Sequence, residues 1–159
     1  MTLPRGVRLG LDVGTVRIGV AASDPDGLIA TPVTTVARSD DGSDVDSIVA
    51  LVAERRAPVI YVGLPRHLSG GEGQSAHQAR SFAAAIASRP EMAEVEVRLV
   101  DERLTTVTAS TQMRQAGRSQ KRQRSVIDQQ AAVIIVQTAL DAERASTRRA
   151  GEAVVRRAS

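Results

Sequence analysis

The chain contains no cysteine. That excludes disulfides, thiolate zinc sites and a cysteine nucleophile. Tyr61 and Phe82 are the only aromatic residues. Proteins that grip single strands without regard to sequence stack the bases on several aromatics, so that mode is closed here. Lysine is almost absent, with Lys121 alone among arginines. No stretch approaches the roughly 18 apolar residues needed to cross a bilayer. Residues 1–6 open no apolar leader. The expectation is a protein with no membrane partner, in a reducing, cytoplasmic setting.

What is present fits one soluble domain. The 159 residues, 42% hydrophobic and 25% charged, are enough to bury a core. The formal charge of +3 says little, but its distribution says more. Residues 1–60 hold 6 arginines against 8 acids, whereas residues 61–159 hold 15 basic residues against 10 acids. A GC-rich genome encodes arginine in place of lysine. Arginine forks also match phosphate oxygens in a bidentate way.

Hydrophobic periodicity gives the element order. Residues 7–13 read as a strand, with Leu9 and Leu11 on one face and Asp12 on the other. A tight turn at Val13-Gly14-Thr15-Val16 leads to a strand over 17–23. The turn Asp24-Pro25-Asp26-Gly27 leads to a third over 28–36, where Pro32 implies an edge or a bulge. An acidic loop over 38–46 precedes a helix through residue 54 that Pro58 stops. Residues 59–64 are wholly apolar, as a buried parallel strand is. A glycine-rich loop, a helix around Phe82, a strand over 95–100 and a helix over 104–116 follow. Residues 118–124 read as a basic, mobile loop, and residues 125–143 as a buried helix. The expected fold is α/β: a mixed five-stranded sheet, three antiparallel strands then parallel ones, with helices on both faces. Residues 1–145 form one domain, and residues 146–159 a basic, frayed tail.

Three carboxylates stand at element ends: Asp12 closing the first strand, Glu102 after the fifth, and Asp128 opening the last helix. Each has a structural alternative. Asp12 can cap its own turn. Glu102 can serve a helix dipole. Asp128 can close a capping box with Ser125. If they converge, they form a cage of hard oxygen ligands that suits Mg²⁺ or Mn²⁺. Between Arg103 and Ile127 there is no acid, and Arg103, Arg114, Arg118, Lys121, Arg122 and Arg124 supply six positive charges in 25 residues. Arg103, Arg118, Lys121, Arg122 and Arg124 are candidate phosphate contacts, and so is Arg17, which could equally pair with a carboxylate. His67 and His77 read as surface residues. Gly70-Gly71-Glu72-Gly73 lacks the lysine of a phosphate loop.

Five segments together resemble the YqgF/RuvX family: Leu11-Asp12-Val13-Gly14 with Arg17-Ile18-Gly19-Val20-Ala21; Val62-Gly63-Leu64-Pro65; Ser69-Gly70-Gly71-Glu72-Gly73; Asp101-Glu102-Arg103-Leu104-Thr105-Thr106; and Ile127-Asp128-Gln129-Gln130-Ala131-Ala132. The resemblance runs over roughly residues 7–143. It implies a ribonuclease H-like fold and a metal-dependent nuclease whose acidic site maps to Asp12, Glu102 and Asp128. It also implies work on the 5′ end of pre-16S ribosomal RNA or, alternatively, on four-way DNA junctions.

The reading is then a Mg²⁺- or Mn²⁺-dependent endonuclease for structured nucleic acid. Two ions about 4 Å apart would support in-line hydrolysis. A junction resolvase needs two matched cuts and hence a homodimer; an RNA-processing nuclease can act as a monomer. Two rivals differ in class. Asp12-Val13-Gly14-Thr15 also resembles the phosphate turn of actin-like ATPases, but those need two such domains. A non-catalytic binding module would bind equally well in EDTA and never cut.

Overall fold

The computed structural model describes residues 6–65, 71–101 and 120–154, with residues 120–126 and 128 described by their backbone alone. Its strands are β1 (Arg8–Val13), β2 (Arg17–Ser23), β3 (Ala30–Ala37), β4 (Val59–Leu64), β5 (Glu96–Asp101) and β6 (Glu152–Ala153). The helices are α1 (Ser43–Arg55), α2 (Gln74–Ala87) and α3 (Gln120–Ser146), with a 3-10 turn at Pro90–Met92. The strands lie in one sheet in the order β3-β2-β1-β4-β5-β6. β1, β2 and β3 pair antiparallel, β1, β4 and β5 pair parallel, and β6 pairs antiparallel to β5.

Alternation along β1 and β2 divides the core in two. Leu9, Leu11, Val13, Ile18 and Val20 join Ile48 and Val52 of α1 and Phe82 and Ile86 of α2 on one face. The other face carries α3: Ala21 packs with Ala132, Val136 and Leu140, and Val59, Tyr61 and Val100 pack with Ile135 and Ala139. β4 is buried along its whole length, as its unbroken apolar run requires. β3 is the edge strand, and its register slips opposite Val20/Ala21, just where Pro32 withholds a donor.

α1 begins at Ser43, inside the expected acidic loop, because Asp44 is not a solvated loop residue. It is 3% exposed. Asp44 Oδ2 accepts from Ser39 N (3.2 Å) and Arg38 Nε (3.1 Å), and Ser39 Oγ accepts from Asp44 N (3.0 Å). Burial pushes the Asp44 carboxyl up, but bonds from the Ser39 and Val45 amides and from Arg38 outweigh it and hold the group below the usual range. With its folded value below its unfolded one, Asp44 stabilises fully above about pH 4. That stabilisation is lost as the pH falls through the depressed folded value. Urea midpoints of wild type and Asp44→Asn should therefore differ at pH 6 and converge on acidification toward pH 2. Parallel curves across that range would sink this account.

Two expectations need correction. α3 starts at Gln120, so residues 120–124 are helical where a mobile loop was expected. No glycine or proline interrupts residues 120–146, and glutamine, arginine and lysine extend a helix readily. The chain after Ser146 is also not frayed as far as Val154. Glu152–Ala153 adds a sixth strand where five were expected. Its basic residues find acids and carbonyls: Arg149 meets Glu96 at 3.1 Å and Glu143 at 3.5 Å, while Arg98 donates to the carbonyls of Ala150 and Gly151. Gly151, at φ +76°, turns the chain against the Leu99 carbonyl, where any Cβ would collide. The expected helix over 104–116 and residues 155–159 lie outside the described residues.

Candidate active site

β1, β4 and β5 run parallel, so Asp12, Leu64 and Asp101 reach one edge of the sheet, and β2 starts there. Open α/β sheets place ligands past this carboxyl edge. Asp12 is partly buried and alternates with Leu11 and Val13 of the α1/α2 core, so it faces the α3 side. Arg17 alternates with the core residue Ile18 in the same way, which puts it on the same face and edge. Both residues have interaction partners within the protein.

The turn beyond Asp12 is held from below. Gly14 N donates to Arg17 O at 2.9 Å, closing the expected tight turn. Arg38 NH1 donates to the Gly14 carbonyl at 2.8 Å while its Nε engages Asp44, and its guanidinium lies 5.2 Å from the Phe82 ring centre. Arg38 and Asp44 thus pin the Asp12 turn to β3, α1 and α2. Sequence reading missed both. The only available signal was a lone Arg at the end of a strand, 24 residues from its partner Gly14.

Register fixes what stands beside Asp12. Gly19 pairs with Asp12, and Thr35 pairs with Gly19. On the other side Leu11 pairs with Val62, so Gly63 comes abreast of Asp12, and Val100 pairs with Gly63. One level of the sheet therefore reads Thr35, Gly19, Asp12, Gly63, Val100.

α3 reaches that same level. Its far end touches the start of β1, where Glu143 meets Arg8 at 3.4 Å. Farther along, Val136 and the Ala132 carbonyl lie against Gly10, where a Cβ would strike both. The helix thus runs antiparallel to β1. One helical turn is about 5.4 Å, and two strand residues span nearly 7 Å. The step from Gly10 to Asp12 therefore matches the step from Ala132 to position 128. An independent bond agrees: Gln129 Nε2 donates to Thr35 Oγ1 at 2.9 Å, and Thr35 is on the Asp12 level. Position 128 lies in the third turn of α3, and Ser125 is itself helical. A capping box between Ser125 and Asp128 is thus excluded, because Ser125 is not at the helix start.

The remaining expected residues separate by position. Lys121, Arg122 and Arg124 fall in the first turns of α3. Glu102, Arg103 and Arg118 lie outside the described residues, although the β5 backbone carries the chain to this edge at Asp101. His67 also lies outside them, whereas His77 lies on α2, away from the Asp12 face. Among the described residues no group of three His, Cys, Asp or Glu gathers into a metal-holding cluster. No helix among them is long and apolar enough to cross a membrane.

Known proteins resemble this chain in both sequence and shape. Residues 6–142 match the family described as RuvX: Holliday junction resolvase. A protein of Streptomyces coelicolor named "Putative pre-16S rRNA nuclease" is 53% identical over 150 residues, covering 94% of this chain and 89% of its own. One of the same name from Mycolicibacterium paratuberculosis is 53% identical over 148 residues, covering 93% and 87%. In shape, RuvC of T. thermophilus, solved in complex with a Holliday junction substrate, matches with a TM-score of 0.60 at 16% identity. That match covers 94% of this chain and 99% of RuvC. At that identity it speaks for the fold, a ribonuclease H-like one. From β1 nearly to the end of α3, with relatives more than half identical along most of its length, the chain belongs to the RuvX family and is a nuclease.

Proposed function

We propose that the chain is a divalent-metal-dependent endonuclease that trims the 5′ end of pre-16S ribosomal RNA, with Asp12, Glu102 and Asp128 as its metal-binding carboxylates and Mg²⁺ or Mn²⁺ as the ion. One observation carries the site: the Gln129–Thr35 bond brings α3 positions 128 and 129 to the sheet level of Asp12. The donor chemistry fits a hard cation, because Asp12 offers carboxylate oxygen at a strand end and the flanking strands present glycine beside it. A bound divalent ion supplies the charge that activates water and stabilises the leaving 3′ oxygen.

The chain's own residues do the rest. Asp12 and position 128 stand on two different elements, a strand and a helix, each fixed by core packing. Arg17, on the Asp12 face and edge, holds a phosphate oxygen. Lys121, Arg122 and Arg124 lie four to seven residues before position 128, roughly 6 to 10 Å farther out along the helix axis. Basic residues there oppose the helix dipole, and the first turn carries no acid to offset them. That arrangement costs helix stability unless an anion sits nearby, and phosphates flanking the cut supply one. These contacts set register and carry little sequence information.

The names of the relatives favour ribosomal RNA. The family description and the fold of a junction-bound RuvC favour four-way DNA as the second reading. Cleavage of a labelled pre-16S leader and a labelled four-way junction, side by side in Mg²⁺ and Mn²⁺, tests both. The proposal expects the leader to be cut faster; preferential, paired cutting of the junction would replace it with the second reading. Oligomeric state separates them as well. A junction resolvase acts as a homodimer, so mixing wild type with Asp12→Asn protein would accumulate singly nicked junctions. A monomeric RNA nuclease gives activity linear in the wild-type fraction.

Affinity provides a further check. Replacing Arg118, Lys121, Arg122 and Arg124 with serine should flatten the log–log salt dependence of binding, by about 0.7 to 0.9 for each phosphate that the variant no longer neutralises. Turnover at saturating substrate should fall far less. An unchanged slope would mean these side chains meet only solvent.

A further inference from the structure

We infer that Arg38 is a positioning residue for cleavage: its guanidinium fixes the turn that carries Asp12 on one side and Arg17 on the other. This rests on Asp12 acting at the site proposed above. The turn's own backbone holds it weakly. Gly14 N donates to Arg17 O at 2.9 Å, and Thr15 and Val16 beyond that bond are exposed. The hairpin turns that match strand twist need positive φ at one or both central residues, and neither Thr15 nor Val16 has it. Other turn types splay the strands they join, so this one needs support from outside.

Arg38 supplies that support twice. Its amide donates to Val16 O at 2.9 Å, and its NH1 donates to Gly14 O at 2.8 Å. Register explains the reach: Ala37 pairs with Arg17, so Arg38 comes alongside Val16. The guanidinium is itself fixed. Its Nε donates to Asp44 Oδ2 at 3.1 Å, and it lies 5.2 Å from the centre of the Phe82 ring. Asp44 is buried and accepts from the Ser39 and Val45 amides as well. A rigid fork thus ties the turn to α1 and α2, which a lysine ammonium, as one compact charge, does less well. Asp12 lies two residues before Gly14, and Arg17 three after it, on one face and edge of the sheet. A turn that splays displaces both together. Misplacing reacting groups by about 1 Å can slow chemistry 10²-fold.

The test compares wild type, Arg38→Met, Arg38→Lys, Asp12→Asn and Glu143→Ala as full-length proteins, below the lowest of their melting temperatures. Methionine keeps a contact with Phe82, and Asp44 keeps its two amide donors, so Arg38→Met should fold. Its turnover at saturating substrate should fall about 10²-fold, while KM and nucleic-acid affinity in EDTA stay within about twofold of wild type. Its Gly14 amide should exchange hydrogen about tenfold faster, with no comparable change at Leu11. Arg38→Lys keeps a charge and one donor, so its turnover should lie between wild type and Arg38→Met. Glu143→Ala, at the far end of α3, should lose more stability than Arg38→Met yet cut as wild type does. Wild-type turnover in Arg38→Met overturns the inference. So does an equal loss of turnover in Glu143→Ala, because lost stability would then explain both. If Asp12→Asn cuts as wild type does, the site reading is wrong and this inference falls with it. If Asp12→Asn stops cutting and Arg38→Met does not, only the role of Arg38 is wrong.

Discussion

Asp12→Asn protein folds, binds nucleic acid as wild type does, and cuts about 10³-fold more slowly or worse, a loss of roughly 4 kcal/mol of transition-state stabilisation. The substitution keeps the shape of the side chain and removes the charge that an ion needs. Asp12 sits in a strand paired on both sides, so its backbone is fixed by β2 and β4 and not by its carboxylate. Folding should therefore survive. If the proposed carboxylate site is right, the variant in EDTA should be at least as stable as wild type, because one fewer charge there relieves repulsion. Single-turnover cleavage with binding measured separately distinguishes this result from a general loss of fold. Cutting at the wild-type rate would remove Asp12 from the site.

The largest effect on stability is expected far from that edge. Glu143 of α3 is 4% exposed and lies between two arginines, Arg8 at 3.4 Å and Arg149 at 3.5 Å. Their side chains are 9% and 8% exposed. Glu143→Ala leaves two buried guanidiniums without their shared partner, which costs about 3 to 5 kcal/mol. For a domain of this size Tm should fall by roughly 10 °C. A cavity of about 270 Å³ borders Arg8 and Glu143. Arg8 Nε, both Glu143 oxygens and Arg149 NH1 are buried and make no hydrogen bond among the described residues, so charge pairing is what offsets their burial. The comparison is Arg80→Met. Arg80 grips Glu72 and Glu152 at 2.7 Å, but at a more exposed site. That change should cost under about 1 kcal/mol. Similar losses for the two variants would mean that the buried cluster adds nothing beyond a surface pair.

How much of this was legible in the chain depended on the range of the forces involved. β2 and β4 came out at their observed bounds because period-2 alternation and an unbroken apolar run are local signals. Pro32 marked both the edge and the bulge, since a missing donor leaves few places in a sheet. The start of α3 was misjudged. Basic residues look like a solvated loop, yet glutamine, lysine and arginine propagate a helix once its apolar half is docked on β1 and β2. The tail was misjudged for a related reason. Arg149 reads as repelling its neighbours until Glu96 and Glu143 are brought to it from 53 and 6 residues away. The Asp12–Gly19–Thr35 level and its tie to Gln129 were also out of reach, because they depend on register between elements.

The central claim is that carboxylates gathered at this sheet edge hold divalent ions. Diffraction from crystals soaked in Mn²⁺, with data at an energy where manganese scatters anomalously, tests it directly. The account predicts an anomalous peak about 2 Å from an Asp12 carboxylate oxygen, on the α3 side of the sheet, and its loss in Asp12→Asn crystals. Ordered Asp12, Glu102 and Asp128 side chains at millimolar Mn²⁺ with no peak between them would contradict it.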